Sequence, residues 1–136
     1  MADVKTQVRR FYDEVVNAQN LGAVDSMVSA NFVEHEALPG LSNDASAVKE
    51  FFGMMFNAFP DLRIEIIDLL ADGDKAVARC TMSGTHKGTF MDIPATGKHF
   101  EIAVIDIIRF EGDKVAEHWG ITDQMAMMEQ LGVVPG

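Results

Sequence analysis

The chain has 136 residues and a formal net charge of -10, from 11 Lys and Arg against 21 Asp and Glu. That length is the size of one domain (1–136) with one core, able to bury roughly 68–70% of the surface its unfolded form exposes. Its 48% apolar and 24% charged residues fit a folded rather than a disordered chain, and the acidic balance repels phosphate and anionic lipid, which argues against nucleic acid and membranes as partners.

Cys80 is the single cysteine, so no intramolecular disulfide and no thiolate cluster for a structural metal is expected. This usage fits the reducing cytoplasm. The first residues lack the apolar core of a signal peptide, and no stretch approaches the roughly 18 apolar residues of a membrane span. A soluble, cytoplasmic protein is expected.

Val4, Val8, Phe11, Tyr12, Val15 and Val16 recur at three- and four-residue steps, which predicts an amphipathic helix over about 2–18. Leu21, Val24, Met27 and Val28 continue the period in a short helix, and Asn31 and the stretch 34–43, with Pro39 and Gly40, break it into a loop. Ser42, Asn43 and Asp44 offer N-caps to a third helix with a wide apolar stripe, Val48, Phe51, Phe52, Met55 and Phe59, ending before Pro60. From there the period is two. Leu62, Ile64 and Ile66 alternate with polar residues, Asp72-Gly73-Asp74 turns the chain, and Ala76, Ala78, Cys80 and Met82 alternate again. A loop from His86 to Lys98 leads to a long strand over about 99–110, Gly112 turns it into a last strand over about 115–122, and Met125, Met128 and Leu131 form a short helix capped by Gly132. Helices followed by a meander of strands predict an α+β fold, with the helices on one face of a curved antiparallel sheet.

Polar residues on apolar faces mark a site in such a fold. Phe100, Ile102, Val104, Asp106, Ile108 and Phe110 share one face of the long strand, so Asp106 stands among large apolar side chains. Burial disfavours a charged carboxylate, and an acid in such a place can donate a hydrogen bond or a proton near neutral pH; the alternative is an ion pair with Arg79 or Arg109 or an irregular strand. In the last strand Val115, Glu117, Trp119 and Ile121 share a face with Asp123 next in the series, and His118 points the other way. Trp119 offers a flat apolar wall and Asp123 a general base; equally, Trp119 is a core residue and Asp123 the N-cap of the last helix. Of the four histidines, His35 and His118 are flanked by apolar segments and are the candidates for proton transfer, whereas His86 and His99 suit structural or surface roles. There is no His-x-His or Glu-x-x-His pair, no Gly-x-Ser-x-Gly and no phosphate-binding glycine loop, so no metal and no cofactor is expected.

The segments Gly84-Thr-His-Lys-Gly-Thr-Phe-Met-Asp-Ile-Pro-Ala-Thr-Gly97 and Ile105-Asp-Ile-Ile-Arg-Phe-Glu-Gly-Asp-Lys-Val-Ala-Glu-His-Trp-Gly-Ile-Thr-Asp123 resemble the SnoaL-like polyketide cyclases. The resemblance extends over nearly the whole chain. It implies the nuclear transport factor 2-like fold, a cone of helices against a strongly bent sheet around one apolar pocket. It also implies cofactor-free closure of a ring by intramolecular aldol condensation of a methyl ester, with an acidic side chain as acid/base. On that reading Asp123 is the base, with His118 and Trp119 beside it and Phe51 and Met55 in the apolar lining. Some relatives carry an acidic residue directly after the His-Trp pair, where this chain has Gly120. Val104-Ile-Asp-Ile-Ile-Arg-Phe110 is more distantly similar to the ketosteroid isomerase strand that bears an oxyanion-hole aspartic acid, which gives Asp106 that role, with Tyr12 as the matching tyrosine and His35 near that family's base. The expected partner is a small apolar carbonyl compound, and family analogy adds a homodimer through the outer sheet face. Two rival classes stand beside the enzyme: a binding protein for a small hydrophobic ligand, with the chain's Met residues as an adaptable lining, and a catalytically silent dimerisation module.

Overall fold

The computed structural model describes residues 3–37 and 40–133; residue 2, where the first predicted helix begins, and Pro39 lie outside the described residues. Helix α1 (Val4–Phe11) starts at Asp3, whose carboxylate accepts from the Thr6 amide. It continues as a π-helical turn over Tyr12–Asn17, in which the Ala18 amide reaches back five residues to the Asp13 carbonyl at 2.9 Å. The period of the first predicted helix is thus present, but its second half is wound more widely than an α-helix, a local device often found where side chains are re-aimed. A 3₁₀ turn (Leu21–Ala23) and a single turn of helix α2 (Val24–Met27) follow.

The chain then departs from the expected loop. Strand β1 (Val28–Glu34) lies parallel to the last strand, with Val28 opposite Val115 and Glu34 opposite His118. Helix α3 (Ala45–Ala58) is capped by Asp44 as its sequence predicts. Strands β2 (Arg63–Asp72), β3 (Lys75–Thr85), β4 (His99–Glu111) and β5 (Lys114–Thr122) then form an antiparallel meander. Two tight turns join them, and Gly73 and Gly112 each take the positive φ, 62° and 61°, that such turns demand. Helix α4 (Gln124–Leu131) ends at Gly132 in the left-handed conformation. Its core-facing residues are Met127 and Leu131; Met125, part of the predicted stripe, is exposed.

The five strands run in the order β1-β5-β4-β3-β2, one mixed sheet with irregularities in β1, β2 and the β4–β5 pair. Bulges of this kind bend strands and increase their twist. One sheet face carries Phe100, Ile102, Val104, Ile108 and Phe110 of β4 and Ala76, Ala78, Cys80 and Met82 of β3, all buried in one core with Val8, Phe11, Val15, Met55 and Phe59 of the helical layer. Fully burying a large apolar side chain stabilises by about 1.5–3 kcal/mol, so this face fixes the register of the sheet. The α+β expectation holds. No helix among the described residues is long and apolar enough to cross a membrane.

Candidate active site

Along the inner face of β4 the apolar pattern is interrupted at one position. Asp106 of β4 is only 8% exposed and lies in register between Ala78 of β3 and Gly120 of β5. Its two strand neighbours are thus a methyl group and no side chain, which leaves room above the carboxylate. Tyr12, the first residue of the π-helical turn, fills part of it and donates its hydroxyl to Asp106 Oδ2 at 2.5 Å. From β5, His118 Nε2 meets Asp106 Oδ1 at 2.7 Å. On its other side His118 Nδ1 lies 2.8 and 2.7 Å from the two carboxylate oxygens of Glu34, at the end of β1. Arg79 and Arg109, the two alternative partners for Asp106, are engaged elsewhere, with Asp68 and with Glu111 and Glu117 respectively.

The protonation of this chain follows from its donors and acceptors. A carboxylate accepts hydrogen bonds and a neutral imidazole offers one N–H, so an imidazole with a carboxylate at each nitrogen satisfies both only as an imidazolium. Burial alone pulls the His118 pKa down. The hydrogen bonds and charges of Asp106 and Glu34 more than offset this and push it from the ordinary 6.5 to about 10. Tyr12 is held well above the ordinary tyrosine value, first by burial and then by the Asp106 charge, so it stays a donor at neutral pH. Cys80, next to this pair, is pushed up to about 11 by burial and then by Asp106, which makes it an inert thiol. With Glu34 and Asp106 negative and His118 positive, the buried cluster carries one net negative charge. The His118 side chain is 25% exposed and that of Glu34 17%, so the cluster is reached from solvent along its His118 edge.

The structure divides the residues singled out in the sequence among several places. Tyr12, Asp106 and His118 come together. His35 and Trp119 also meet, but on the outer face: their rings stack parallel at 4.6 Å, His35 Nε2 lies 2.8 Å from Glu117 Oε2, and Arg109 donates to the same carboxylate at 2.6 Å. Trp119 pairs across the strands with Ile107, and Ile107 with Val77, so the indole belongs to an outer-face row rather than to the interior. Asp123 is exposed and caps α4, accepting from the Ala126 amide at 3.1 Å, away from the inner cluster. Phe51 and Met55 lie on α3, Phe51 half-buried and Met55 in the core. His86 is fully buried beneath Phe59, and His99 contacts Thr85.

Glu34 is the member of the cluster that sequence reasoning missed. The available signal was Phe32: two residues before Glu34, it points an apolar ring into the core, and a strand period carries Glu34 to the same side. Among the described residues, two clefts stand out on the surface. One, of about 440 Å³, runs between α3 and β1 and includes Val28, Ser46 and Lys49. The other, of about 710 Å³, lies on the outer sheet face against Leu70, Val77, Ile107 and Trp119. Neither is lined by Asp106, Tyr12 or His118.

A helical layer over a five-stranded mixed sheet, with one ionic cluster set into an otherwise apolar inner face, defines a small α+β domain of the nuclear transport factor 2-like kind. Within that class the chain belongs to the SnoaL-like polyketide cyclase family, whose model matches residues 6–131. Among curated proteins it is similar to the aklanonic acid methyl ester cyclase DauD of Streptomyces sp. (strain C5), with 26% identity over 126 residues, 87% of this chain and 77% of that protein. Among solved structures it is similar to TsrD from Streptomyces laurentii (27% identity, TM-score 0.87, 98% of this chain and 100% of that one). It is also similar to IdmH from Streptomyces antibioticus (27% identity, TM-score 0.83, 97% and 100%).

Proposed function

We propose that this protein is a cofactor-independent cyclase that closes a ring in an apolar polyketide-type carbonyl compound by intramolecular aldol reaction, with Asp106 as the acid/base. The observation that carries this reading is the sequence of hydrogen bonds, buried at Tyr12 and Asp106 and partly buried at His118 and Glu34, that runs from Tyr12 through Asp106 and His118 to Glu34. Asp106 uses one lone pair on each oxygen for Tyr12 and His118 and keeps others free to take a proton. It removes the proton from carbon beside a carbonyl; the resulting enolate carbon attacks a second carbonyl of the same molecule, forming the new C–C bond; and the proton held by Asp106 passes to the alkoxide. No proton is gained or lost overall. The imidazolium of His118 keeps a positive charge beside the reacting carboxylate, and Glu34 holds the imidazole in place. A charge fixed in a poorly hydrated site acts more strongly than in water.

Of the two carboxylates considered from the sequence, position favours Asp106 over Asp123. Aklanonic acid methyl ester, the compound named for the relative DauD, is the first substrate to try, and ring closure is read as a product of unchanged mass and altered chromatographic mobility. Replacing Asp106 by Asn is expected to reduce turnover by about 10²–10⁴-fold, the usual contribution of a general acid/base. Turnover unchanged in Asp106→Asn contradicts the assignment.

A second reading, ligand binding without chemistry, is favoured by the low exposure of Asp106 and by the position of both clefts away from it. Under it, Asp106→Asn leaves retention of a hydrophobic ligand intact and no isomeric product forms. We further propose that the protein works in the cytoplasm as a homodimer that covers the outer sheet face, where Leu70, Ile105 and Ile121 are exposed. Ile121→Lys is expected to shift the sedimentation of such a dimer toward that of a single chain.

A further inference from the structure

We propose that Gly120 is a positioning residue of this site: the missing side chain at that place on β5 is what lets Asp106 and His118 meet. The inference deepens the acid/base reading of the same cluster. Directly across the strands, Asp106 faces Gly120, and His118 faces Ile108. The bond between Asp106 and His118 is therefore diagonal and passes over position 120. A Cβ there would lie 2.8 Å from Asp106 Oδ1, 2.8 Å from His118 Cε1 and 2.9 Å from His118 Nε2. Those are the bonded ends of the two side chains, and nothing with a side chain fits between them. Neither is free to step aside and keep its other bonds, because Tyr12 holds Asp106 Oδ2 and Glu34 holds His118 Nδ1.

The backbone offers no competing explanation. Gly120 is not among the residues with positive φ, so an L-residue can adopt its conformation. A glycine inside a strand weakens that strand and has no side chain to pack, and a Cβ on an inner face would ordinarily be welcome. The charged groups facing His118 are Glu34 from β1 and Asp106 from β4, with Tyr12 of the π-helical turn and Cys80 of β3 behind Asp106. His35, Glu117 and Arg109 form their own set on the outer face.

The test is Gly120→Ala in the full chain, with the His118 imidazole titrated by NMR and thermal unfolding recorded beside it. With the diagonal bond broken, the His118 midpoint is expected to fall by at least about one pH unit, a tenfold loss of proton affinity, and any cyclase activity to lose its alkaline range in parallel. A midpoint equal to that of the parent overturns the proposal. A second pair of variants covers a failure of Gly120→Ala to fold. In a background carrying both Asp106→Ala and His118→Ala, which removes the nearest atoms that a Cβ at 120 would meet, adding Gly120→Ala should leave the unfolding temperature nearly unchanged; a loss as large there as in the parent shows that the strand itself needs the glycine, and also overturns it. If the midpoint shifts as expected while the parent closes no ring in any ester tested, the role of Gly120 stands and the cyclase reading falls.

Discussion

The two faces of the β4–β5 pair carry similar chemistry in different settings. On the inner face His118 lies between Glu34 and Asp106; on the outer face Glu117 lies between His35 and Arg109. The same short stretches of chain supply both, since Glu34 and His35 are adjacent, as are Glu117, His118 and Trp119. Alternation sends neighbours to opposite sides, and the environment does the rest. On the outer face His35 is the more exposed of the two histidines, at 36% against 25% for His118, so water screens its ion pair and that contact contributes little. On the inner face Tyr12 and the core exclude most of the water, so the Asp106–His118 contact decides a protonation state. Sequence supplies residue types, but burial decides which of them can do acid/base work.

Replacements on the inner face should therefore far outweigh their outer-face counterparts. The largest expected effect is the loss of about 10²–10⁴-fold in turnover on Asp106→Asn. Next, His118→Ala leaves two carboxylates without their shared cation and should cost about 3–5 kcal/mol in urea unfolding, whereas His35→Ala, its outer-face counterpart, should give a much smaller change. Tyr12→Phe removes one donor to a charged acceptor, a loss of about 1.5–3 kcal/mol in the same assay. The smallest is Asp123→Ala, which removes the cap of α4 and should cost about 1 kcal/mol with turnover unchanged. Turnover lost in Asp123→Ala and kept in Asp106→Asn would reverse the assignment of the two carboxylates.

Much of the fold was legible because the meander alternates cleanly. β4 in particular reads apolar at every second position, and Asp106 stood out for that reason alone. The caps of α3 and α4 were legible as well, since Asp44, Asp123 and Gly132 carry their roles in local chemistry. β1 was not. It is an edge strand paired in parallel to a distant segment, it slips register between Val28 and Val33, and Phe32 is its only buried residue between Val28 and its end, so it shows no period of two. Glu34 was lost with it. Alternation sets Trp119 and His118 on opposite sides of β5, but a single strand does not reveal which side faces the helices. That information lies in the pairing of Ile107 with Trp119 and of Ile108 with His118.

The raised proton affinity of His118 also fixes the direction of the pH dependence. A group that binds its proton more tightly in the folded chain than in the unfolded one adds stability below its unfolded pKa and loses it as the pH rises through its folded pKa. Unfolding free energy should therefore decline from about pH 6.5 to about pH 10, and this decline should shrink in Asp106→Asn.

An NMR titration of the His118 imidazole in the intact protein tests the central claim, an imidazolium fixed between two carboxylates, most directly. The structure predicts both ring nitrogens protonated through neutral pH and a midpoint near 10. A midpoint at the ordinary 6.5, with one nitrogen unprotonated at pH 8, would contradict it.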